Sequence, residues 1–173
     1  MDALTESVLT ILTGASGSGK TSITEALGAA QPGLVEAYHF DSIGVPTNEE
    51  MIRLHGSGEG WQRAMTHRWL SELASVSVHG PTVLEGQMRL SFIYEAIERA
   101  GVSDCKIILI DCSDDVRRKR LLERNQPELA TREMLEWAAF LRRETVDRGD
   151  RILDTSFLDI DQAVAELLQE LNA

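Results

Sequence analysis

Residues 14–21 read Gly14-Ala15-Ser16-Gly17-Ser18-Gly19-Lys20-Thr21, which fits G-x-x-x-x-G-K-[ST] at every fixed position. At average composition this pattern arises by chance in about 1% of chains of this length. The context narrows it further. The apolar run Val8-Leu9-Thr10-Ile11-Leu12 precedes the glycines, and Thr21 to Ala30 has the composition of a helix. That is the strand, loop, helix order the motif requires. Glycines let the backbone curl so that successive N–H groups face an anion, and the helix N-terminus adds its dipole. In such a loop the lysine, here Lys20, reaches the β- and γ-phosphates of a nucleotide, and the hydroxyl of Thr21 holds Mg²⁺. Gly14, Ala15, Ser16, Gly17, Ser18, Gly19, Lys20, Thr21 and the adjoining Ser22 are therefore the candidate nucleotide-binding residues.

Outward from the loop, the chain alternates strands with helices. Gln31-Pro32-Gly33 stops the first helix. Val35 to Phe40 reads as a second strand that delivers Asp41 and Ser42 to its C-terminal end. Thr47 to Leu54 is a short helix, His55 to Gly60 a glycine-rich break, and Trp61 to Val78 a helix with apolar residues at 61, 64, 65, 69, 73 and 76. The stripe puts Trp61 and Trp69 in the core. Pro81 to Gly86, Lys106 to Asp111 and Arg151 to Asp154 read as strands, and Leu90 to Ala100 as a helix. A helix capped by Ser113 or Asp114 runs to about Arg124, where Asn125-Gln126-Pro127 breaks it. Thr131 caps another, to Val146, and Asp159 with Gln162 caps the last. This order means a parallel α/β sheet with helices on both faces, as a single domain over residues 1–173.

Composition excludes several classes. Hydrophobic content of 43% and charged content of 26% are those of a soluble globular domain, with no apolar run of membrane-spanning length and no signal pattern. Two cysteines, Cys105 and Cys112, without a metal-binding spacing, suit reduced thiols and a cytoplasmic protein. His39, His55, His67 and His79 lack metal-ligand spacing and read as structural or solvent-facing. A net charge of −11 argues against a broad nucleic-acid surface. Yet ten of the 17 Lys and Arg residues fall between Arg117 and Arg151, against seven acids, so this segment is built to meet an anion. Arg117, Arg120 and Arg124 fall near one helix face, a spacing that a bound phosphate would favour. Arg142 and Arg143 are candidates for closing over a transferring phosphoryl group.

Asp41, Glu85 and Asp111 each end a strand, which places all three at the sheet edge that carries the glycine loop. Mg²⁺ with a nucleotide needs a carboxylate nearby, and a hydroxyl acceptor needs a base. Position alone does not assign the roles.

The chain resembles the small P-loop kinases, the group of nucleoside and nucleotide kinases, shikimate and gluconate kinases and chloramphenicol phosphotransferase. Residues 14–21 carry most of the likeness. Phe40-Asp41-Ser42 is similar to the strand end where chloramphenicol phosphotransferase-like members keep a catalytic Asp, which implies that role for Asp41. Residues 84–89, Leu-Glu-Gly-Gln-Met-Arg, resemble the D-G-[FY]-P-R strand end of nucleotide kinases, which implies Glu85 near magnesium and Arg89 near the acceptor. Gln87 and Met88 depart from that motif, against a nucleoside monophosphate acceptor. Arg120 to Arg124 resembles the R-x-x-x-R entry to a lid, here about 117–143, and Ile152 to Ser156 the I-D-T-S stretch near the adenine, which brings Thr155 to the nucleotide. The resemblance implies an adenylate-kinase-like P-loop NTPase fold with five parallel strands and a short lid. It further implies an ATP- and Mg²⁺-dependent phosphotransferase acting on a small-molecule acceptor, as a monomer or homodimer. Lys20, Asp41 and Arg124 would be catalytic, Thr21 and Glu85 would hold the metal, and Asp41, Arg89, Arg142 and Arg143 would meet the acceptor. Residues 42–78 would form the acceptor region. The competing reading is a nucleotide-dependent regulator without a dedicated acceptor; no N-K-x-D guanine motif occurs.

Overall fold

The structure is a computed structural model that describes residues 8–76 and 80–172. Five parallel strands, β1 (Leu9–Thr13), β2 (Glu36–His39), β3 (Thr82–Gly86), β4 (Cys105–Asp111) and β5 (Arg151–Asp154), form one sheet in the order β2-β3-β1-β4-β5. The helices are α1 (Lys20–Ala30), α2 (Asn48–His55), α3 (Gly58–Ser75), α4 (Leu90–Ala100), α5 (Asp114–Glu123), α6 (Arg132–Arg148) and α7 (Ile160–Asn172). The five-stranded parallel sheet and its helical connections agree with the sequence reading. His79 and Val78 lie outside the described residues.

Strand geometry sends alternate side chains to opposite faces, and β4 uses both. Ile107 and Leu109 join Ile11, Leu84, Trp61, Trp69, Leu70 and Ile93 in a core under α3, α4 and α6. Ile108 and Ile110 join Leu12, Ile23, Leu27, Val83 and Leu167 in a second core under α1 and α7. Each fully buried Leu or Ile contributes roughly 1.5–3 kcal/mol, so the aliphatic run Ile107 to Ile110, between two helical layers, anchors the domain. Both cysteines are free thiols, and burial pushes Cys105 up to about 12, with Asp104 and Asp150 adding to it.

One sequence expectation needs correction. The break after α2 is far shorter than residues 55–60, because Gly56 takes the left-handed conformation that ends α2 and Ser57 immediately caps α3 by accepting from Gly60 N at 2.9 Å. The caps read from the sequence form: Ser113 and Thr131 accept from Val116 N and Met134 N at 3.4 and 3.3 Å, and Asp159 and Gln162 exchange bonds of 2.8 and 3.0 Å before α7, while α2 carries a reciprocal Thr47–Glu50 box that the sequence reading did not include.

The two core tryptophans also position the site. Trp69 Nε1 donates to the Phe40 carbonyl at 3.1 Å, and Phe40 packs edge-on to Trp61 with centroids 5.7 Å apart. Phe40 begins a 3-10 turn to Ile43 that carries Asp41. Gly86 is what lets this turn approach β3: a Cβ there would lie 2.5 Å from Phe40 Cβ. Gly86→Ala is therefore expected to cost about 1–3 kcal/mol by overpacking, read as a lower urea midpoint at unchanged slope. An unchanged midpoint would mean that Phe40 is not locked against β3.

Candidate functional site

The phosphate loop spans residues 14–19 between β1 and α1, and its carbonyl side is tied down. Arg117, fully buried on α5, donates to Ser16 O at 2.8 Å and to Asp111 Oδ1 at 2.8 Å. Arg120 reaches Ser18 O at 3.1 Å and Gly17 O at 3.5 Å, as well as Thr155 Oγ1 and Thr155 O, both at 2.8 Å. The Thr155 hydroxyl donates to Ser18 O at 2.8 Å. Gly17 sits at φ 80, and a Cβ there would lie 3.0 Å from the Arg117 side chain, a conformation and a space that only glycine fills without strain. With its carbonyls held from the α5 side, the loop is free to turn amide N–H groups the other way, the arrangement of an anion nest.

At the mouth of this loop Lys20 is buried. Burial holds its ammonium below the usual lysine pKa, opposed by Glu85 and then Asp41. Glu85, itself buried at the end of β3, lies 3.4 Å from the Thr21 hydroxyl through each carboxylate oxygen. It also meets His39 Nδ1 at 2.8 Å. Asp41 is exposed on its 3-10 turn. Two adjacent strand ends, β3 and β2, thus converge with α1 on one point. His39 was read from the sequence as structural or solvent-facing, and its contact with Glu85 was missed. The pair follows from the register of β2 against β3, His39 opposite Glu85, which no local pattern reveals.

Asp111 behaves unlike its two companions. Its oxygens are taken by Arg117 and by Arg142 Nε at 2.6 Å, so it is a structural anchor rather than a third free acid at the loop. This also redirects Arg142, expected at the acceptor, to Asp111. Arg143 is exposed and makes no hydrogen bond or ion pair among the described residues. Arg117 likewise faces the core rather than a phosphate, because its guanidinium is enclosed by Asp111, Ser16 and Cys112.

A recess flanks the loop. A cleft of about 270 Å³ is lined by Gly19, Ser22, Ile23, Arg124, Leu158 and Ala163, among others, combining apolar walls with a cation. Arg124 bonds Ser22 Oγ at 3.1 Å there. Arg89, at the N-cap of α4, has a guanidinium that stacks over Trp137, Phe140 and Phe92 at 5.1, 4.9 and 5.8 Å and pairs with Glu59 at 3.2 Å. Its buried Nε has no hydrogen-bond partner among the described residues. Among those residues no cluster of three or more His, Cys, Asp or Glu is arranged to hold a metal, and no helix is long and apolar enough to cross a membrane.

A glycine loop anchored between a central parallel strand and a helix, with acids ending the neighbouring strands, defines a P-loop domain of the small-kinase architecture. An AAA domain family model matches residues 11–140, and the chain belongs to that family. No curated protein matches the sequence. Solved structures similar in fold include a sugar kinase from Janibacter sp. HTCC2649 (TM-score 0.67, 19% identity, covering 96% of this chain and 95% of that one). A shikimate kinase from Acinetobacter baumannii in complex with shikimate also aligns (0.64, 15%, 96% and 94%). So does a gluconokinase from Sinorhizobium meliloti 1021 (0.58, 19%, 95% and 94%).

Removing Arg117 tests the anchoring. Arg117→Ala leaves the carbonyl of Ser16 and one Asp111 oxygen without their buried partner, and we expect a loss of about 3 kcal/mol or more. Urea unfolding measures it; a loss below about 1 kcal/mol would put this arginine among ordinary surface ion pairs.

Proposed function

We propose that the protein is an ATP-dependent phosphotransferase that moves the γ-phosphoryl group of MgATP to a hydroxyl of a small-molecule acceptor. The observation that carries this reading is the convergence of Lys20, Thr21 and Glu85 at the loop, with Asp41 close enough to act on the Lys20 charge. The likeness in fold to proteins described as shikimate, sugar and gluconate kinases supports it.

In this reading the cleft beside Arg124 takes the adenosine, with Ile23, Leu158 and Ala163 against the base. The loop N–H groups, Lys20 and Arg124 neutralise phosphate charge. The donors Thr21 and Glu85 suit Mg²⁺, a hard cation bound through one or two carboxylates together with substrate phosphates rather than in an all-protein cage. When bound, the ion would supply charge neutralisation at the β- and γ-oxygens. Asp41 accepts the proton of the acceptor hydroxyl as its oxygen bonds to phosphorus, the bond to the ADP oxygen breaks, and ADP departs. Arg89 holds an anionic group of the acceptor: its Nε is unpartnered and Glu59, more than half exposed, is readily displaced.

A screen of hydroxylated metabolites for acceptor-dependent ADP release identifies the acceptor. With it, Asp41→Asn is expected to keep ATP affinity nearly intact and to slow transfer about 100-fold or more, the range of a general base. Glu85→Gln should instead raise the magnesium concentration needed for half-maximal rate. Turnover of Asp41→Asn at the parent rate would remove Asp41 from the chemistry.

Lys20 supplies a pH signature. Its free-protein pKa lies below 10.5 because burial penalises the ammonium, and a triphosphate beside it raises that pKa again. Between the two values binding takes up a proton, so ATP affinity should fall as alkaline pH rises through the free-protein value. Calorimetry in buffers of different ionisation enthalpy reads the uptake. Lys20→Ala should abolish it and weaken ATP binding by about 1.5–3 kcal/mol; pH-independent binding by the parent would contradict the assignment.

A further inference from the structure

Gln87, in the turn between β3 and α4, touches two distant parts of the fold. Trp137 on α6 meets its Oε1 at 3.1 Å, and its Nε2 lies 3.0 Å from Ser16 Oγ in the phosphate loop. The orientation of this amide is not arbitrary. An indole N–H can only donate, so the atom facing Trp137 must be the carbonyl oxygen, and the NH₂ must then face the loop. An NH₂ carries two hydrogens, and Ser16 Oγ uses one. No second acceptor for Nε2 occurs among the described residues, although the side chain is half-buried and half-open beside the loop. The Ser16 carbonyl, meanwhile, is drawn to the opposite side by Arg117. Ser16 is thus clamped from both directions, and a neutral donor with a spare N–H stands next to it.

We propose that Gln87 donates this second N–H to an oxygen of the γ-phosphoryl group, and that Trp137 is the positioning residue that fixes the amide in the donating orientation. The proposal rests on the phosphotransfer reading above. A neutral amide suits this place. It adds a hydrogen bond to an anion without adding a charge that would hold the phosphoryl group back from leaving, and it is oriented before substrate arrives. Trp137 adds a further link, because its ring face carries the Arg89 guanidinium at 5.1 Å. One side chain on α6 therefore sets both a phosphoryl-facing donor and the proposed acceptor-binding arginine.

The test uses MgADP with beryllium fluoride, a tetrahedral anion that binds beside ADP where the γ-phosphoryl group sits, and so needs no acceptor. The quantity read is the ratio of MgADP dissociation constants without and with beryllium fluoride. In the parent, beryllium fluoride should tighten MgADP. In Gln87→Ala, which removes the amide without adding a charge, and in Gln87→Glu, which keeps the size and the contact with Trp137 but has no N–H to give and adds a negative charge, the tightening should shrink about tenfold or more. Trp137→Phe keeps a smaller aromatic ring beside Arg89 and loses the indole N–H, and its tightening should shrink likewise. Thermal melting of each variant separates this from folding, since a mere staple between loop and helix would lower the melting temperature and leave the ratio alone. Parental tightening in folded Gln87→Glu or Trp137→Phe overturns the proposal while leaving the phosphotransfer reading intact. A parent that gains nothing from beryllium fluoride has no γ-phosphoryl site, which overturns the reading and the proposal together.

Discussion

The buried guanidinium of Arg117 is the contact on which the site depends. It sits where the end of β4, the start of α5 and the phosphate loop meet, and it satisfies a carboxylate and two carbonyls at once. A charge with no solvent exposure is tolerated only when it is paired and hydrogen-bonded. Asp111 supplies the pairing and Ser16 and Cys112 the bonds. The same arrangement that makes Arg117 acceptable in the core dictates the path of the loop, because moving Ser16 would strip a partner from a buried cation. Arg120 and Thr155 repeat the device two residues further on, at Ser18. The loop is therefore rigid on its carbonyl side before any nucleotide arrives, which is the preorganisation that phosphate stabilisation needs.

This division explains what could be read from the chain alone. The glycine loop, the aliphatic strand 106–111 and the amphipathic helix 90–100 announce themselves through local spacing, and each appears where the spacing puts it. The strand ends of Asp41, Glu85 and Asp111 were equally legible. Their differences were not, because they are set by partners far away in sequence. Asp111 is neutralised by Arg142, 31 residues on, and Glu85 is joined by His39, 46 residues back. Gln87 was visible only as a departure from a motif. Its bonds to Ser16, 71 residues away, and to Trp137, 50 residues away, exist only once the sheet has assembled. Arg117 was misjudged for a related reason. Its i, i+3, i+7 spacing with Arg120 and Arg124 describes a helix face, but not whether that face turns to a ligand or to the protein's own carbonyls.

The helix that follows the basic segment is tied to the site at two points. Arg142 grips Asp111, and Trp137 grips Gln87, five residues or somewhat more than one turn earlier on α6. The contacts lie on opposite sides of the phosphate loop's anchoring, one reaching Arg117 through Asp111 and the other reaching Ser16 directly through Gln87. Displacement of α6 would disturb both. Two such attachments hold α6 to the loop, and in the connection before it, residues 124–131, Asn125 takes a positive φ and Pro127 starts a short 3-10 turn.

The charge pattern then acquires a different meaning from the one its position first suggests. Ten cations gathered in a chain of net charge −11 look like a field for attracting an anion. Most of that charge is spent locally. Arg117 and Arg142 neutralise Asp111, Arg120 serves backbone carbonyls, and Lys119, Arg132 and Arg151 pair with Glu123, Glu136 and Glu170. What faces the cleft from this segment is Arg124, beyond the last turn of α5, together with Arg120, whose donors are already engaged. Phosphate attraction must therefore come from short-range contacts in a water-poor site, the loop amides and Lys20, rather than from a broad positive surface. Such contacts suit a small, highly charged anion better than an extended polyanion, which would meet a chain of net charge −11.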